Sequence, residues 1–223
     1  MDERESMEIV SRLQDSGTFT GGPPELFHVA GKKQLMILRH FGMTEKSKVL
    51  DIGCGCLRGG RWVIPELNQG HYFGIEVNKE MLEKGLEICV EKEIVSEKKP
   101  KFDNNSDFDF GIFGERFDFF FARSIWSHAS KIQIEKMLDQ FLVNKTAQGI
   151  FLTSYHRSRF PYFGEYQGKE WVGKSDSSDE AGVVRHSLRR IRKLCKVRGL
   201  HVEEFTKDPF DFGLQRWLVI KSL

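Results

Sequence analysis

The stretch "VLDIGCGCLRGGRW", residues 49–62, decides how the rest of the chain is read. Three branched apolar residues and Asp51 run into Gly53, Gly55, Gly59 and Gly60, with cysteines at 54 and 56. A short apolar run that breaks into glycine reads as a buried strand entering a tight turn. Glycine at 53 and 55 lets the main chain approach a ligand closely at the carboxyl end of that strand. Metal site, phosphate cradle, dinucleotide fingerprint and bare turn are the competing readings.

Cys54 and Cys56 are one residue apart, not the roughly two to four of a zinc ribbon, and no second Cys or His pair lies nearby, so no metal is expected. A phosphate-binding P-loop needs Lys-Ser/Thr after its last glycine, and "GGRWV" lacks it. In G-C-G-C-L-R-G-G the third glycine arrives one residue late for G-x-G-x-x-G, which counts against a close-fitting pyrophosphate turn.

Outward from this turn, short apolar runs alternate with amphipathic stretches. "KVLDIG", "HYFGIEV", "KPKFD", "RFDFFFARS", "QGIFLTSY", "HVEEFT" and "LQRWLVIKSL" read as seven strands. "RGGRWVIPELN", "NKEMLEKGLEICVEKE", "KIQIEKMLDQFLVN" and "VRHSLRRIRKLCKVRG" read as helices, with a lysine-rich connection before "KPKFD". The alternation predicts an α/β fold: a doubly wound, mainly parallel seven-stranded sheet with helices on both faces. The last two strands follow one another without a helix, so the last is expected to be antiparallel, in a hairpin at one edge.

Ahead of this pattern lies an N-terminal helical extension, residues 1–44, and the α/β domain takes 45–223. The extension holds one helix over 3–14, with Met7, Ile9, Val10 and Leu13 apolar, and a glycine-proline loop at 16–24. A second helix starts near Glu25, uses Leu26, Val29, Leu35, Met36 and Leu38, and stops at Gly42. The long irregular stretch 156–183 carries Phe160, Tyr162, Phe163, Tyr166 and Trp171 before a polar "KSDSSDE" tail. It reads equally as a lid over a substrate pocket and as a mobile loop.

The second strand ends in "GIEVN", which puts Glu76 21 residues after Gly55. A carboxylate there accepts both hydroxyls of a ribose. Loop and carboxylate together indicate an adenosine-containing cofactor. "VLDIGCG" followed by "GIEVN" resembles the cofactor half of class I S-adenosylmethionine-dependent methyltransferases, over roughly 45–155. The resemblance implies that Asp51 and the turn Gly53, Cys54, Gly55 surround the methionine part of S-adenosyl-L-methionine, and that Glu76 holds the ribose. It further implies adenine contacts from the loop "NNSDFDF", with Asp107 and Phe108 the candidates and Asp109 and Phe110 fitting nearly as well. Arg58 reads as a partner for the cofactor carboxylate or as a solvated arginine; Arg123, closing the fourth strand, is placed with the cofactor ligands. For Asp51 the rival role is capping the turn through backbone N–H groups.

Methyl transfer from a sulfonium needs an aligned acceptor and, for a hydroxyl, a base. Such groups are expected beyond the fourth strand, "ARSIWSHAS", and the fifth, "LTSYHRSR". His128 is the first candidate base, His156 the second, and Tyr155 a residue that orients an acceptor. Each has a plain rival: a polar residue opening a helix, an exposed loop histidine, and strand-end packing. Trp126 reads as an acceptor wall or as core, and His28 and His186 as neighbours of the pocket.

Composition bounds the rest. With 39% hydrophobic residues, 30% charged and a formal charge of +2 over 223 residues, no global field draws the chain to polyanions. Seven Lys/Arg between 185 and 198 share a helix with Val184, Leu188, Ile191 and Leu194, so they read as its solvated face rather than a nucleic-acid contact. "MDERESMEIV" has no apolar signal core, no membrane-spanning run is present, and four cysteines make no disulfide framework, so cytoplasm is expected. The expected activity is therefore methyl transfer to a small-molecule or sugar acceptor at oxygen. The alternatives are a non-catalytic cofactor-binding or interaction module and an NAD-dependent oxidoreductase.

Overall fold

The computed structural model describes residues 3–20, 22–158, 165–173, 182–206 and 215–223. Phe160, Tyr162, Phe163 and the "KSDSSDE" tail lie outside the described residues. The chain divides into two compact units, Met1–Asn104 and Asn105–Leu223.

In the first unit, α1 (Glu3–Asp15) leads through a 3-10 turn at Pro24–Leu26 into α2 (Phe27–His40). The buried stripe of α1 is Ser6, Ile9, Val10 and Leu13, at the i, i+3, i+4, i+7 spacing of one helical face. Met7, expected inside, is exposed. On α2 the buried face is Phe27, Ala30, Gly31, Gln34, Leu35, Ile37 and Leu38, whereas Leu26 and Val29, expected there, face water. Gly42 takes φ +95° and its N–H bonds the Arg39 carbonyl at 3.0 Å, ending the helix as its sequence predicts.

Next come β1 (Val49–Ile52), α3 (Gly60–Val63), β2 (Tyr72–Ile75), α4 (Lys79–Cys89), α5 (Lys92–Lys98) and β3 (Lys101–Asp103). The three strands pair in parallel in the order β3-β2-β1. β1 and β2 are buried throughout, which is why they read as continuous apolar runs. Asp51 is the only carboxylate in either strand, and it sits opposite Gly74 in the register. The expected lysine-rich connection is the helix α5, which buries none of its side chains and so leaves no apolar period to read.

In the second unit, β4 (Phe117–Ala122) is followed by α6 (Lys131–Asn144), β5 (Lys145–Arg157), β6 (Arg185–His186), α7 (Leu188–Lys196), β7 (Leu200–Phe205) and β8 (Arg216–Ser222). β4 and β5 are parallel, and β8 is antiparallel to both β5 and β7. The order β4-β5-β8-β7 puts β7 at the edge, completing the expected hairpin. Phe120 anchors the core, with the rings of Phe110, Phe117, Phe141 and Phe151 at 4.9–6.0 Å.

All seven expected strands are present among the described residues, with a short eighth beside them. The extra one, β6, comes from the sequence expected to open the last helix. Arg185 and His186 pair with His156 and Arg157 of β5, and Val184 donates its N–H to the Ser127 carbonyl at 2.7 Å. These long-range bonds delay α7 to Leu188. Among the described residues no helix is long and apolar enough to cross a membrane.

Candidate functional site

In the first unit the turn after β1 is bolted to the end of β2. The N–H groups of Gly53 and Cys54 both donate to the Ile75 carbonyl, at 2.8 and 3.1 Å. The Gly55 N–H donates to Glu76 Oε2 at 2.9 Å, and the Asn78 N–H donates to Glu76 Oε1 at 3.0 Å. Two main-chain donors thus orient one half-buried carboxylate beside the turn. The Asn78 side chain caps α4 by accepting the Met81 N–H at 2.9 Å, and Asn104 donates to the Glu76 carbonyl at 2.6 Å. Asp51, Gly53, Cys54, Gly55 and Glu76, separated by up to 25 positions, are brought together here.

The turn alternates left-handed residues: Gly53 at φ +68°, Gly55 at +57° and Leu57 at +60°. For glycine this conformation is free, whereas for a residue such as leucine it costs about 1–2 kcal/mol. Two further glycines on helices hold the strained segment. A Cβ on Gly31 of α2 would lie 2.3 Å from the Arg58 carbonyl oxygen, and one on Gly85 of α4 would lie 2.7–2.9 Å from the backbone of Cys56. Helix backbones therefore press on the turn from α2 and from α4. Gly59 and Gly60 serve packing too: a Cβ there would meet Gln34 Oε1 at 2.3 Å and Tyr72 Oη at 2.8 Å, respectively. The third fingerprint position is Arg58, whose side chain is buried.

Asp51 is buried and accepts the Tyr72 hydroxyl at 2.6 Å. Its bond is to a side chain, so it does not cap the turn. Burial is the main reason its pKa is pushed up to about 7, with the nearby Glu76 charge adding and the Tyr72 hydrogen bond and Arg58 opposing. Burial raises the Cys54 and Cys56 thiols as well, so both stay neutral and neither is an activated nucleophile. Burial lowers the Arg58 pKa, with Cys56 and Asp51 partly offsetting it; the solvated reading of Arg58 does not hold. Thr20 of the N-terminal extension completes the surround. Its methyl would be 3.0 Å from a Cβ on Gly55, and its carbonyl accepts from Cys56 Sγ at 3.8 Å. Sequence reading missed Thr20, Tyr72, Asn78, Gly31 and Gly85; of these only Asn78, a helix cap two residues past Glu76, carries a local signal. His28 lies edge-on to Trp62, ring centroids 4.8 Å apart.

In the second unit, Asp109 caps the 3-10 turn Phe110–Phe113 and Phe110 is fully buried, which separates them from Asp107 and Phe108. Asp107 is exposed and pairs with Lys136 at 3.2 Å. Phe108 holds a left-handed backbone, φ +58°, with its ring 6.5 Å from that of Trp171. Arg123 donates to Gln215 Oε1 at 2.9 Å and lies 5.2 Å over the Trp217 ring. Ser124, at φ +65°, accepts from Gln215 Nε2 at 3.0 Å, and its N–H donates to Ser154 Oγ at 2.8 Å.

His128 is half-buried, its Nδ1 2.7 Å from the Val172 carbonyl oxygen and 2.9 Å from that of Gly182. His156 lies in β5 opposite Arg185 rather than in a loop. Tyr155 is buried and donates its hydroxyl to Glu204 Oε1 at 2.7 Å; burial chiefly, then Glu204, raises its pKa. That hydroxyl is committed to strand packing. Trp126 is fully buried, edge-on to Phe151 at 5.8 Å, and is core. His186 is buried with Nε2 3.0 Å from the Ala129 carbonyl oxygen.

No protein-family model matches the sequence, and no curated protein matches it by sequence. Solved structures do match. Magnesium protoporphyrin IX methyltransferase from Synechocystis PCC 6803 with bound SAH aligns at TM-score 0.62 and 13% identity, over 96% of this chain and 93% of that one. The glycopeptide N-methyltransferase MtfA with S-adenosyl-L-methionine aligns at 0.64 and 9%, over 87% and 94%. The ribosomal protein L11 methylase from Lactobacillus delbrueckii subsp. bulgaricus aligns at 0.59 and 11%, over 93% and 83%. The chain has the mixed, mostly parallel α/β fold of these class I methyltransferase structures.

Proposed function

We propose that this chain is an S-adenosyl-L-methionine-dependent methyltransferase that acts on a small-molecule or sugar hydroxyl. The observation that carries the proposal is the Glu76 carboxylate, oriented by the N–H groups of Gly55 and Asn78 beside a turn whose glycines leave no Cβ in the way. A carboxylate oxygen has more than one lone pair, so one that accepts a main-chain N–H can accept a ribose hydroxyl as well. Asp51, Gly53, Cys54 and Gly55 then surround the methionine part, with Arg58 for its carboxylate and Thr20 of the 1–44 extension beside the turn. Asp107, Phe108 and Arg123 complete the proposed cofactor ligands. Two of the matched structures hold SAH or S-adenosyl-L-methionine, while by their names the three concern a porphyrin, a glycopeptide and a ribosomal protein, so they support the cofactor more than the acceptor.

When bound, the cofactor supplies an electrophilic methyl group on a sulfonium. The work left to the protein is alignment of the acceptor and removal of its proton. His128 is the proposed base: its Nε2 makes no hydrogen bond among the described residues. His156 remains a second histidine to test. The deciding experiment is calorimetry with S-adenosylhomocysteine on the wild type and on Glu76→Ala. Micromolar-range binding that weakens at least about tenfold in the variant is expected for a lost charge-assisted contact. Equal affinity in both, or no binding, overturns the proposal.

A further inference from the structure

His128 and the segment 171–173 exchange hydrogen bonds in both directions. The Val172 N–H donates to the His128 carbonyl at 2.8 Å, and the Val172 carbonyl faces the His128 ring nitrogen Nδ1 at 2.7 Å. The Gly182 carbonyl approaches the same nitrogen at 2.9 Å. Carbonyl oxygens only accept, so Nδ1 is the nitrogen that carries the proton. A neutral imidazole has one N–H, which leaves Nε2 with the lone pair.

Two neighbours keep the ring in this seat. Trp171 packs on it with ring centroids 5.6 Å apart at 37°. Gly173 lies so close that a Cβ would fall 2.8 Å from Nδ1 and 3.1 Å from Cγ of the imidazole. Any side chain at 173 must push either the ring or the 172–173 backbone out of place.

We propose that Gly173 and the Val172 and Gly182 carbonyls are positioning elements for His128, selecting the tautomer in which Nε2 is the base. The proposal rests on the reading of His128 as the base that takes the acceptor proton. In that step the acceptor O–H bond breaks and its proton goes to Nε2. The oxygen pair forms the bond to the methyl carbon, and the sulfur–carbon pair returns to the sulfonium sulfur, leaving a neutral thioether. Fixing the tautomer beforehand spares the base a ring flip or proton shift before it acts, as backbone acceptors do for other functional histidines.

The test needs no acceptor. Long-range proton–nitrogen correlation spectra of uniformly 15N-labelled protein at alkaline pH report which ring nitrogen of each neutral histidine is protonated, and His128→Gln assigns the signal. The wild type is expected to show His128 as a single Nδ1–H tautomer. Gly173→Ala is expected to lose that single pattern while binding S-adenosylhomocysteine as the wild type does. An Nε2–H tautomer in the wild type overturns the proposal, as does an unchanged His128 pattern in a folded Gly173→Ala protein. Should Gly173→Ala fail to fold, the wild-type spectrum alone still decides. Failure to bind S-adenosylhomocysteine would sink the methyltransferase reading without touching the tautomer result, which separates the two.

Discussion

Replacing Asp51 by asparagine isolates the cost of keeping a carboxyl group in the β1 strand. The side chain is buried against Tyr72, and burial above all pushes its pKa from 3.8 to about 7. A carboxyl whose pKa is raised by folding favours the fold while protonated. Its contribution is fully present below the unfolded value and is lost as pH rises through about 7. At roughly 1.4 kcal/mol per pKa unit, the full shift is worth about 4 kcal/mol, of which about 2–3 kcal/mol falls between pH 5 and pH 8. Asparagine fits the same space, accepts the Tyr72 hydroxyl and does not titrate. Urea unfolding of the two proteins at pH 5, 6, 7 and 8 measures the difference directly, because every other titrating group is common to both. The wild type should lose about 2–3 kcal/mol relative to Asp51→Asn over that range. Parallel stability profiles would refute the reasoning, and so would a wild type that gains on the variant as pH rises.

Tyr72→Phe removes the donor to the same carboxyl; since that bond favours the charged form, unfolding should show a loss of about 1–3 kcal/mol at pH 8 and a smaller one at pH 5. Gly85→Ala drives a Cβ into the Cys56 backbone, so it should cost about 1–3 kcal/mol in urea unfolding and also weaken S-adenosylhomocysteine binding in calorimetry. An unchanged affinity would show that α4 does not brace the turn. Tyr155→Phe should cost only about 1 kcal/mol in stability, because Arg157 and Arg216 still pair with Glu204 at 2.9 and 3.1 Å. A much larger effect on methyl transfer than on stability would instead return Tyr155 to the acceptor side.

What could be read without coordinates was whatever is encoded locally. α6 occupies the segment its apolar period marks out, helped by Ser130 and Gln133 closing a capping box. Glu76 was legible because the spacing from Gly55 follows from one strand–helix–strand unit. The start of α7 was not, because bonds to β5 and to Ser127 take Val184–His186 out of a helix that their composition permits. Gly31 and Gly85 look like ordinary mid-helix glycines; their role is the approach of Arg58 and Cys56, residues 27 and 29 positions away. The carbonyls that seat His128 belong to the irregular stretch 156–183, where no periodicity operates, so only the structure pairs them with the imidazole.

The central claim is that the turn after β1 and Glu76 together hold S-adenosyl-L-methionine. A crystal structure of the protein with S-adenosylhomocysteine tests it most directly. The account predicts both ribose hydroxyls on the Glu76 carboxylate and the homocysteine part against Asp51 and Gly53–Gly55. Density for the nucleoside at any other place, with Glu76 bonded only to the Gly55 and Asn78 main chain, would contradict it.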